Sequence, residues 1–217
     1  MTRKRLKGSE RRAIILANAR QVFSLHGYEA ARTQDIARRS GVSEALMYRH
    51  FPSKQALYRA VLREVIQEQD ASTQALSIAE PNGRAFVLNL KAYFAFVVDP
   101  TDSPIKEGFR LLLASLTGDA DFATLVYRRS QRLMTHRITE ALRAARDAGD
   151  IVIGREITVA NTSMFTEHVG TMLNALARNT RRSPYVGAPD EIVRDAVWFC
   201  CRGVGFTDEA IARYYDS

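Results

Sequence analysis

The chain has 217 residues, of which 46% are apolar and 25% charged, and its only cysteines are Cys200 and Cys201. This composition is typical of a globular protein that can bury a core in one domain, or in two unequal ones, without disulfides. Neighbouring cysteines are poorly placed to bridge, so a secreted disulfide scaffold is excluded and we expect reduced thiols in a cytoplasmic protein. The longest apolar stretch, residues 88–98, is too short for a membrane span and contains Lys91.

The positive charge is concentrated at one end of the chain. Residues 1–60 contain 13 basic and 4 acidic side chains, whereas residues 61–217 contain 18 and 20, so the net charge of +7 comes entirely from the first part. This distribution predicts that an N-terminal module binds a polyanion and that the rest of the chain has a different function. A basic surface without a partner, or one that meets an anionic membrane, would have the same charge.

The apolar spacing predicts helices along the whole chain. The first begins at Ser9 or Glu10, buries Ile15, Ala19 and Phe23, and ends at Gly27. Further helices are predicted over residues 33–39, from Ser43 to residue 50, from Ser53 onward, and over residues 83–98, 104–117, 119–148, 155–179, 189–201 and 207–215. No stretch alternates long enough for a sheet, and residues 151–153 are expected to form a loop. We therefore predict an all-α fold whose N-terminal domain covers residues 9–69 and whose larger helical domain covers residues 70–217.

Residues 33–50 have the spacing of a helix-turn-helix. Ala37 is small where the second helix crosses, and Gly41 supplies the positive φ of the turn. Ile36, Val42 and Met47 fill the wedge between the helices, which leaves one face of the segment from Ser43 to His50 exposed. A helix of this size fits the major groove of DNA.

Several short motifs in this region resemble the N-terminal domain of TetR-type transcriptional regulators. They are Gly-Tyr-Glu-Ala at residues 27–30, Asp-Ile-Ala at 35–37, Ser-Gly-Val-Ser at 40–43, Tyr-Arg-His-Phe at 48–51 and Pro-Ser-Lys-Gln-Ala-Leu at 52–57. The resemblance covers about a quarter of the chain. It implies an N-terminal helix-turn-helix domain that binds DNA and a divergent helical domain that binds an effector and dimerises.

The resemblance also implies roles for individual side chains. Tyr48, Lys54 and His50 stand at positions expected to contact phosphate. Within the segment that contacts bases, Arg49 suits guanine or a phosphate, and Glu44 suits cytosine N4. The full set of expected DNA-contacting residues is Arg32, Thr33, Gln34, Ser43, Glu44, Ala45, Leu46, Tyr48, Arg49, His50 and Lys54.

Two residues depart from the family pattern. Arg32 stands where Thr or Ser is frequent before the second helix, so we expect the helix cap to shift to Thr33 and Arg32 to reach a phosphate. Leu46 stands where a small residue is frequent, and we expect an apolar contact with a thymine methyl group there.

The resemblance implies two further sites beyond residue 70. An apolar effector is expected between the helices, lined by Tyr93, Phe109, Met134, Phe165 and His168. Dimerisation is expected through the last long helices, with Met164, Val169, Leu173, Trp198 and Phe199 at the interface. The chain is thus interpreted as a homodimeric, ligand-responsive repressor that binds a pseudo-palindromic operator in double-stranded DNA and has no membrane partner.

Other functions have weaker support in the sequence. The four histidines lack the close helical spacing of a metal site, and no Gly-x-Ser-x-Gly or phosphate-binding glycine loop is present, so we expect neither an enzyme nor a cofactor. The apolar neighbours of Cys200 and Cys201 favour a place in the core or an interface over a redox role. A small-molecule carrier with a basic docking end and an effector-independent architectural DNA-binding protein remain as alternatives.

Overall fold

The computed structural model describes residues 7–76, 80–99, 101, 104–118, 120–152, 157–177 and 183–217. The helices are α1 (Gly8–Ala30), α2 (Thr33–Arg39), α3 (Glu44–His50), α4 (Lys54–Leu76), α5 (Gly83–Val98), α6 (Pro104–Leu116), α7 (Asp121–Asp147), α8 (Val159–Ala177), α9 (Pro189–Gly203) and α10 (Asp208–Tyr215). Within these ranges the extended pairing is limited to one bridge, between Ile151 and Phe206. The predicted all-α class is confirmed.

The predicted helix ends mostly agree with the structure to within two residues. α7 begins two residues later than predicted and ends one residue earlier. The predicted ends of the eighth helix at residues 155 and 179 lie outside the described residues, and residues 157 and 158, also predicted to be helical, precede the start of α8 at Val159. None of the described helices combines the length and the apolar character that crossing a bilayer would need.

Contacts divide the chain into two units, and the first consists of the described parts of Met1–Ala71 and Ser103–Thr124. It therefore contains α6, which packs on α1, in addition to the four helices predicted for the N-terminal domain. The apolar stripe of α4, formed by Leu57, Val61 and Val65, is fully buried. Sequence spacing could not assign α6 to this unit, because an amphipathic helix does not specify which neighbour covers its apolar face.

A buried arginine joins three helices of this N-terminal unit. Arg20 of α1 is 5% exposed, and its guanidinium lies 2.8 Å from a carboxylate oxygen of Glu68 on α4 and 3.0 Å from one of Glu107 on α6. A charge taken out of water is tolerated when opposite charges and hydrogen bonds replace its hydration. Arg20 thus fixes α4 and α6 against α1.

The break in α1 falls at Gly27, which has φ of +71°. After it, Tyr28 stacks on Phe23 with ring centroids 6.3 Å apart, and Tyr58 of α4 lies 4.9 Å from both rings. The left-handed backbone at Gly27 is what turns Tyr28 back toward Phe23, and it strains any residue that has a Cβ. This aromatic cluster holds the end of α1 on α4.

The second unit consists of the described parts of Ser72–Asp102 and Leu125–Ser217. α5 lies at its centre and packs on α8, α9 and α10, which explains why Val87, Phe94 and Val97 are fully buried. Cys200 and Cys201 are buried free thiols on α9. Burial raises the pKa of Cys200 to about 11 and that of Cys201 further, so both stay protonated at neutral pH.

Asp150 fixes the end of the chain to this C-terminal unit. Its side chain is 4% exposed and accepts hydrogen bonds from Arg213 and, at 2.6 Å, from the Tyr214 hydroxyl, both on α10. Its backbone carbonyl accepts from the Thr207 N–H at 2.9 Å. Asp150 therefore holds the start of α10 through its backbone carbonyl and the end of α10 through its carboxylate.

Replacing Asp150 with alanine is expected to lower the free energy of unfolding by about 1.5–3 kcal/mol, because it removes two hydrogen bonds to a buried charge. The control is Asp147→Ala, which removes an exposed carboxylate at the end of α7 and should change the stability by less than about 0.5 kcal/mol. Urea unfolding followed by circular dichroism measures both. Equal effects of the two substitutions would contradict the anchoring role of Asp150.

Candidate nucleic-acid interface

The turn between α2 and α3 is closed by backbone hydrogen bonds around a left-handed glycine. Gly41 has φ of +64°, the Val42 N–H donates to the Ala37 carbonyl at 3.1 Å, and the Gly41 N–H donates to the Arg38 carbonyl at 3.1 Å. This is the hydrogen-bond pattern of a Schellman cap, in which the left-handed position favours glycine. It reverses the chain within four residues and aims α3 across α2.

The apolar side chains of both helices point into this crossing. Ile36, Ala37 and Met47 are 0%, 3% and 1% exposed, in agreement with their predicted inward orientation. Because α3 has only seven residues, burying Met47 leaves the rest of its surface for solvent or a ligand.

Caps on both sides set the limits of α3. The Ser43 side chain accepts a hydrogen bond from the Leu46 N–H at 3.2 Å, and Phe51 ends the helix before Pro52. The Ser53 hydroxyl then accepts from the Ala56 N–H at 3.0 Å and begins α4. These caps are the ones predicted from the sequence.

The expected DNA-contacting residues fall into two groups by exposure. Six are exposed, namely Arg32, Gln34, Ser43, Ala45, Tyr48 and Arg49. Five are partly buried, namely Thr33, Glu44, Leu46, His50 and Lys54. Tyr48 is 37% exposed, so its phenol and the Arg49 guanidinium are both accessible from outside the unit.

A chain of hydrogen bonds joins the start of α2 to α3. The Thr33 hydroxyl donates to a Glu44 carboxylate oxygen at 2.5 Å, and the Tyr48 hydroxyl donates to Thr33 Oγ1 at 3.3 Å. The Glu44 charge thus lies at the N-terminus of α2, where the helix dipole stabilises it. In the free protein Glu44 positions Thr33 and Tyr48, a role that the sequence analysis did not assign to it.

The predicted cap of α2 is wrong. Arg32 occupies the N-cap position without a side-chain cap, and Thr33 is the first helical residue. The Thr33 hydroxyl, which we expected to cap the helix, donates a hydrogen bond to the Glu44 carboxylate instead. The Arg32 side chain is exposed beside this helix start.

Lys54 is held in place at the start of α4. Its ammonium donates to the Glu29 carbonyl at 3.0 Å and lies 4.7 Å from the centre of the Tyr28 ring. An ammonium group has three donors, so these contacts leave capacity for a phosphate oxygen. Lys54 is therefore a fixed charge in this surface.

The residues predicted to line an effector site lie in three places. Tyr93 and Met134 line one cavity of about 210 Å³ in the C-terminal unit. Phe165 and His168 line a separate groove between α8 and α9, and Phe109 is buried on α6 in the N-terminal unit. On α8, Ser163 and Glu167 face the cavity. Phe165 lies two residues from each of them, and residues two apart on a helix point to opposite sides, so Phe165 is not part of the cavity lining.

The residues predicted for the dimer interface mostly share one surface. Phe199 is 69% exposed, and Val169 and Trp198, which are partly buried, line the groove between α8 and α9 with it. Met164 is partly buried on α8 but is not part of this lining. Leu173 is different, because it is 3% exposed and already covered within its own chain. Helical spacing alone does not distinguish the covered side of α8 from its open side.

Sequence reasoning missed two charged residues that the structure makes prominent. Arg20 lies within the apolar stripe of α1, and this position was the available signal that it is buried. Glu167 lines the cavity beside Tyr93, but a single glutamate on a predicted helix gives no signal of this kind.

Known proteins resemble the helix-turn-helix in sequence and the whole chain in fold. Residues 15–61 match the family model described as bacterial regulatory proteins, tetR family. The HTH-type transcriptional activator FasR of Mycolicibacterium smegmatis is 38% identical over 109 residues, which are 50% of this chain and 48% of FasR. The HTH-type transcriptional repressor AcnR of Corynebacterium diphtheriae is 38% identical over 80 residues, which are 37% of this chain and 39% of AcnR.

The fold comparison extends over nearly the whole chain. A solved bacterial regulatory protein in the tetR family from Rhodococcus RHA1 superimposes with a TM-score of 0.67 over 92% of this chain and 99% of its own, at 22% identity. The sequence matches are shorter, since the chain spans about half the length of FasR and about two fifths of AcnR. Residues 15–61 therefore match the tetR family model in sequence, and the described helices share the fold of this solved regulatory protein.

Proposed function

We propose that this protein is a cytoplasmic, sequence-specific DNA-binding regulator that acts as a homodimeric repressor and releases its operator when a small molecule binds. The observation that carries the proposal is the orientation of α3, with Met47 buried against α2 and Tyr48 and Arg49 exposed. The names of the relatives FasR and AcnR support transcriptional regulation.

The surface contains side chains suited to both parts of DNA recognition. Tyr48 and Lys54 are held by Thr33 and by Glu29 with Tyr28, as expected for groups that position the domain on phosphates. Arg49 is exposed on α3, where its fork of donors suits guanine O6 and N7. The phosphate contacts would set the register, and Arg49 would then contribute sequence preference.

A homodimer follows from the small size of the recognition helix. Seven residues can contact only a few base pairs, so useful specificity needs two half-sites, about one helical turn of about 34 Å apart. The surface of α8 and α9 supports such a dimer, because Phe165 and Phe199 are 56% and 69% exposed there. Two-fold pairing of this surface would produce a protein whose symmetry matches a pseudo-palindromic operator.

The cavity in the C-terminal unit supports an effector. It lies between α5, α7 and α8, and most of its wall is apolar. Thr162 and Thr166 line both this cavity and the groove between α8 and α9. A molecule that displaces α8 would therefore alter the surface on which the proposed dimer depends, and with it the spacing of the two recognition helices.

Replacing Arg49 with alanine is expected to weaken binding to the duplex that flanks the protein's own coding region by 10-fold or more, and binding to a scrambled duplex much less, because it removes a base contact. The control Arg63→Ala removes an equal, exposed charge from α4 and should leave the preference between the two duplexes unchanged. Fluorescence anisotropy at one fixed salt concentration measures the six affinities of the unmodified protein and the two variants for the two duplexes. If Arg49→Ala weakens binding to both duplexes equally, Arg49 of α3 does not contribute to sequence preference.

Replacing Phe199 with glutamate is expected to convert the dimer to a monomer, because it places a charge in an apolar interface. The control is Val186→Glu, since Val186 is 90% exposed and lies outside α8 and α9. Sedimentation velocity over a concentration series measures the mass of both variants and of the unmodified protein. The proposed interface would be overturned if the unmodified protein were a monomer at all concentrations. It would also be overturned if the Phe199→Glu variant stayed dimeric.

A further inference from the structure

The cavity of the C-terminal unit has an apolar body and one acidic end. α5 contributes Phe86 and Leu90 to its walls, and α7 contributes Met134 and Ile138. Its volume is about 210 Å³, and a dry cavity of about 150 Å³ is enough to hold benzene. The space therefore accommodates one six-membered ring with a short substituent.

Glu167 forms the acidic end of the cavity. Its carboxylate accepts one hydrogen bond, from the Tyr93 hydroxyl at 3.3 Å, and no Lys, Arg or His nitrogen of the described residues lies within ion-pair distance of it. Burial raises the pKa of this carboxyl group, since the ionised form has lost much of its hydration. A carboxylate in this position lacks the cation that usually accompanies an enclosed acid.

Gly170 allows Tyr93 to reach Glu167. A Cβ atom at this position of α8 would lie 2.2 Å from the Tyr93 hydroxyl oxygen and 2.4 Å from its ring, so every other residue would displace the tyrosine. Glycine within a helix costs about 1 kcal/mol relative to alanine. The close contact with the ring explains why this helix contains one.

One hydroxyl group of the lining has no hydrogen-bond partner among the described residues. Thr162 lines the cavity and is only 4% exposed, and its Oγ1 is buried without a hydrogen bond. Buried polar atoms are nearly always satisfied, so this orphaned hydroxyl indicates a ligand or bound water at the cavity wall. The Tyr127 hydroxyl, which is not part of the lining, is also buried without a partner, and burial together with the Glu167 charge raises the pKa of this phenol.

The lining contains one other charged residue, Arg137 of α7, and its guanidinium does not lie within ion-pair distance of Glu167. A compact ligand that pairs with Glu167 therefore has the Tyr93 hydroxyl beside it, with Arg137 elsewhere in the lining.

We propose that this cavity binds a small organic cation, a protonated amine whose ammonium group pairs with Glu167 and whose ring or short apolar body lies among Phe86, Leu90 and Met134. The ring of Tyr93 adds a favourable contact for a cation, since the face of an aromatic ring is electronegative. A carboxylate ligand would repel the ionised form of Glu167, whereas an ammonium group stabilises that form against the protonated one that burial favours. That such an amine regulates DNA binding rests on the proposed function.

Isothermal titration calorimetry with three probes of similar size tests the charge preference in the unmodified full-length protein. The probes are 2-phenylethylamine, 2-phenylethanol and 3-phenylpropionate, which carry a positive, a neutral and a negative group on the same ring. We expect the amine to bind at least 10-fold more tightly than the other two. Tightest binding of 3-phenylpropionate, or no saturable binding of the amine, would overturn the proposal.

A matched pair of variants tests whether Glu167 is the group responsible. Glu167→Gln keeps the shape of the side chain and should reduce amine affinity at least 10-fold while changing 2-phenylethanol affinity less than 2-fold. Glu209→Gln removes an equal charge from an exposed position of α10 and should keep the preference for the amine. Unchanged amine affinity in Glu167→Gln would assign the preference to another group and contradict the proposed site.

The DNA-binding measurement distinguishes failure of this site from failure of the proposed function. Because Glu167 lies in the C-terminal unit, Glu167→Gln should still prefer the flanking duplex over the scrambled one. If that preference persists and the amine does not bind, only the cavity assignment is wrong. If the unmodified protein has no duplex preference, the proposed function is wrong whatever the calorimetry shows.

Discussion

Burial of Met47 where α3 meets α2 decides which side chains this protein can present to a duplex. With Ile36, Ala37 and Met47 removed from water, the short α3 has one orientation, and its remaining side chains lie outward or at the edge. The left-handed backbone at Gly41 makes the crossing possible, and the caps at Ser43 and Ser53 keep α3 from shifting along its own axis. The proposed contacts of Tyr48 and Arg49 depend on this packing.

Two buried charged residues, Arg20 and Asp150, have different surroundings from the partly buried Glu167. Arg20 meets carboxylates of two other helices, and Asp150 meets Arg213 and the Tyr214 hydroxyl. In both places the opposite charge replaces lost hydration and the result is a fixed arrangement of helices. Glu167 is partly buried and has no cation of the described residues within ion-pair distance, and this difference separates a candidate binding group from a structural one.

Opposite sides of α8 face two different spaces, the cavity and the groove toward α9. Ser163 and Glu167, four residues apart, line the cavity, whereas Phe165 and His168 line the groove toward α9. A single helix therefore separates the proposed effector from the proposed dimer surface, and Thr166 contacts both spaces. In such an arrangement a small displacement of one helix would couple the two proposed sites. A packed interface switches between distinct arrangements and does not deform continuously, so a small shift on one side changes the packing on the other.

Local sequence determined the helices, their caps and the turn of this protein. The spacing of apolar residues, the serines before α3 and α4 and the glycines at positions 27 and 41 act through neighbours only a few residues away, so they were predictable. Only the tertiary structure decided that α6 packs on α1, that Thr33 bonds to Glu44, that Leu173 is covered and that Glu167 rather than Phe165 faces the cavity. Each of these depends on which helix covers which face, and that choice is made by the summed packing of distant segments, which no local pattern encodes.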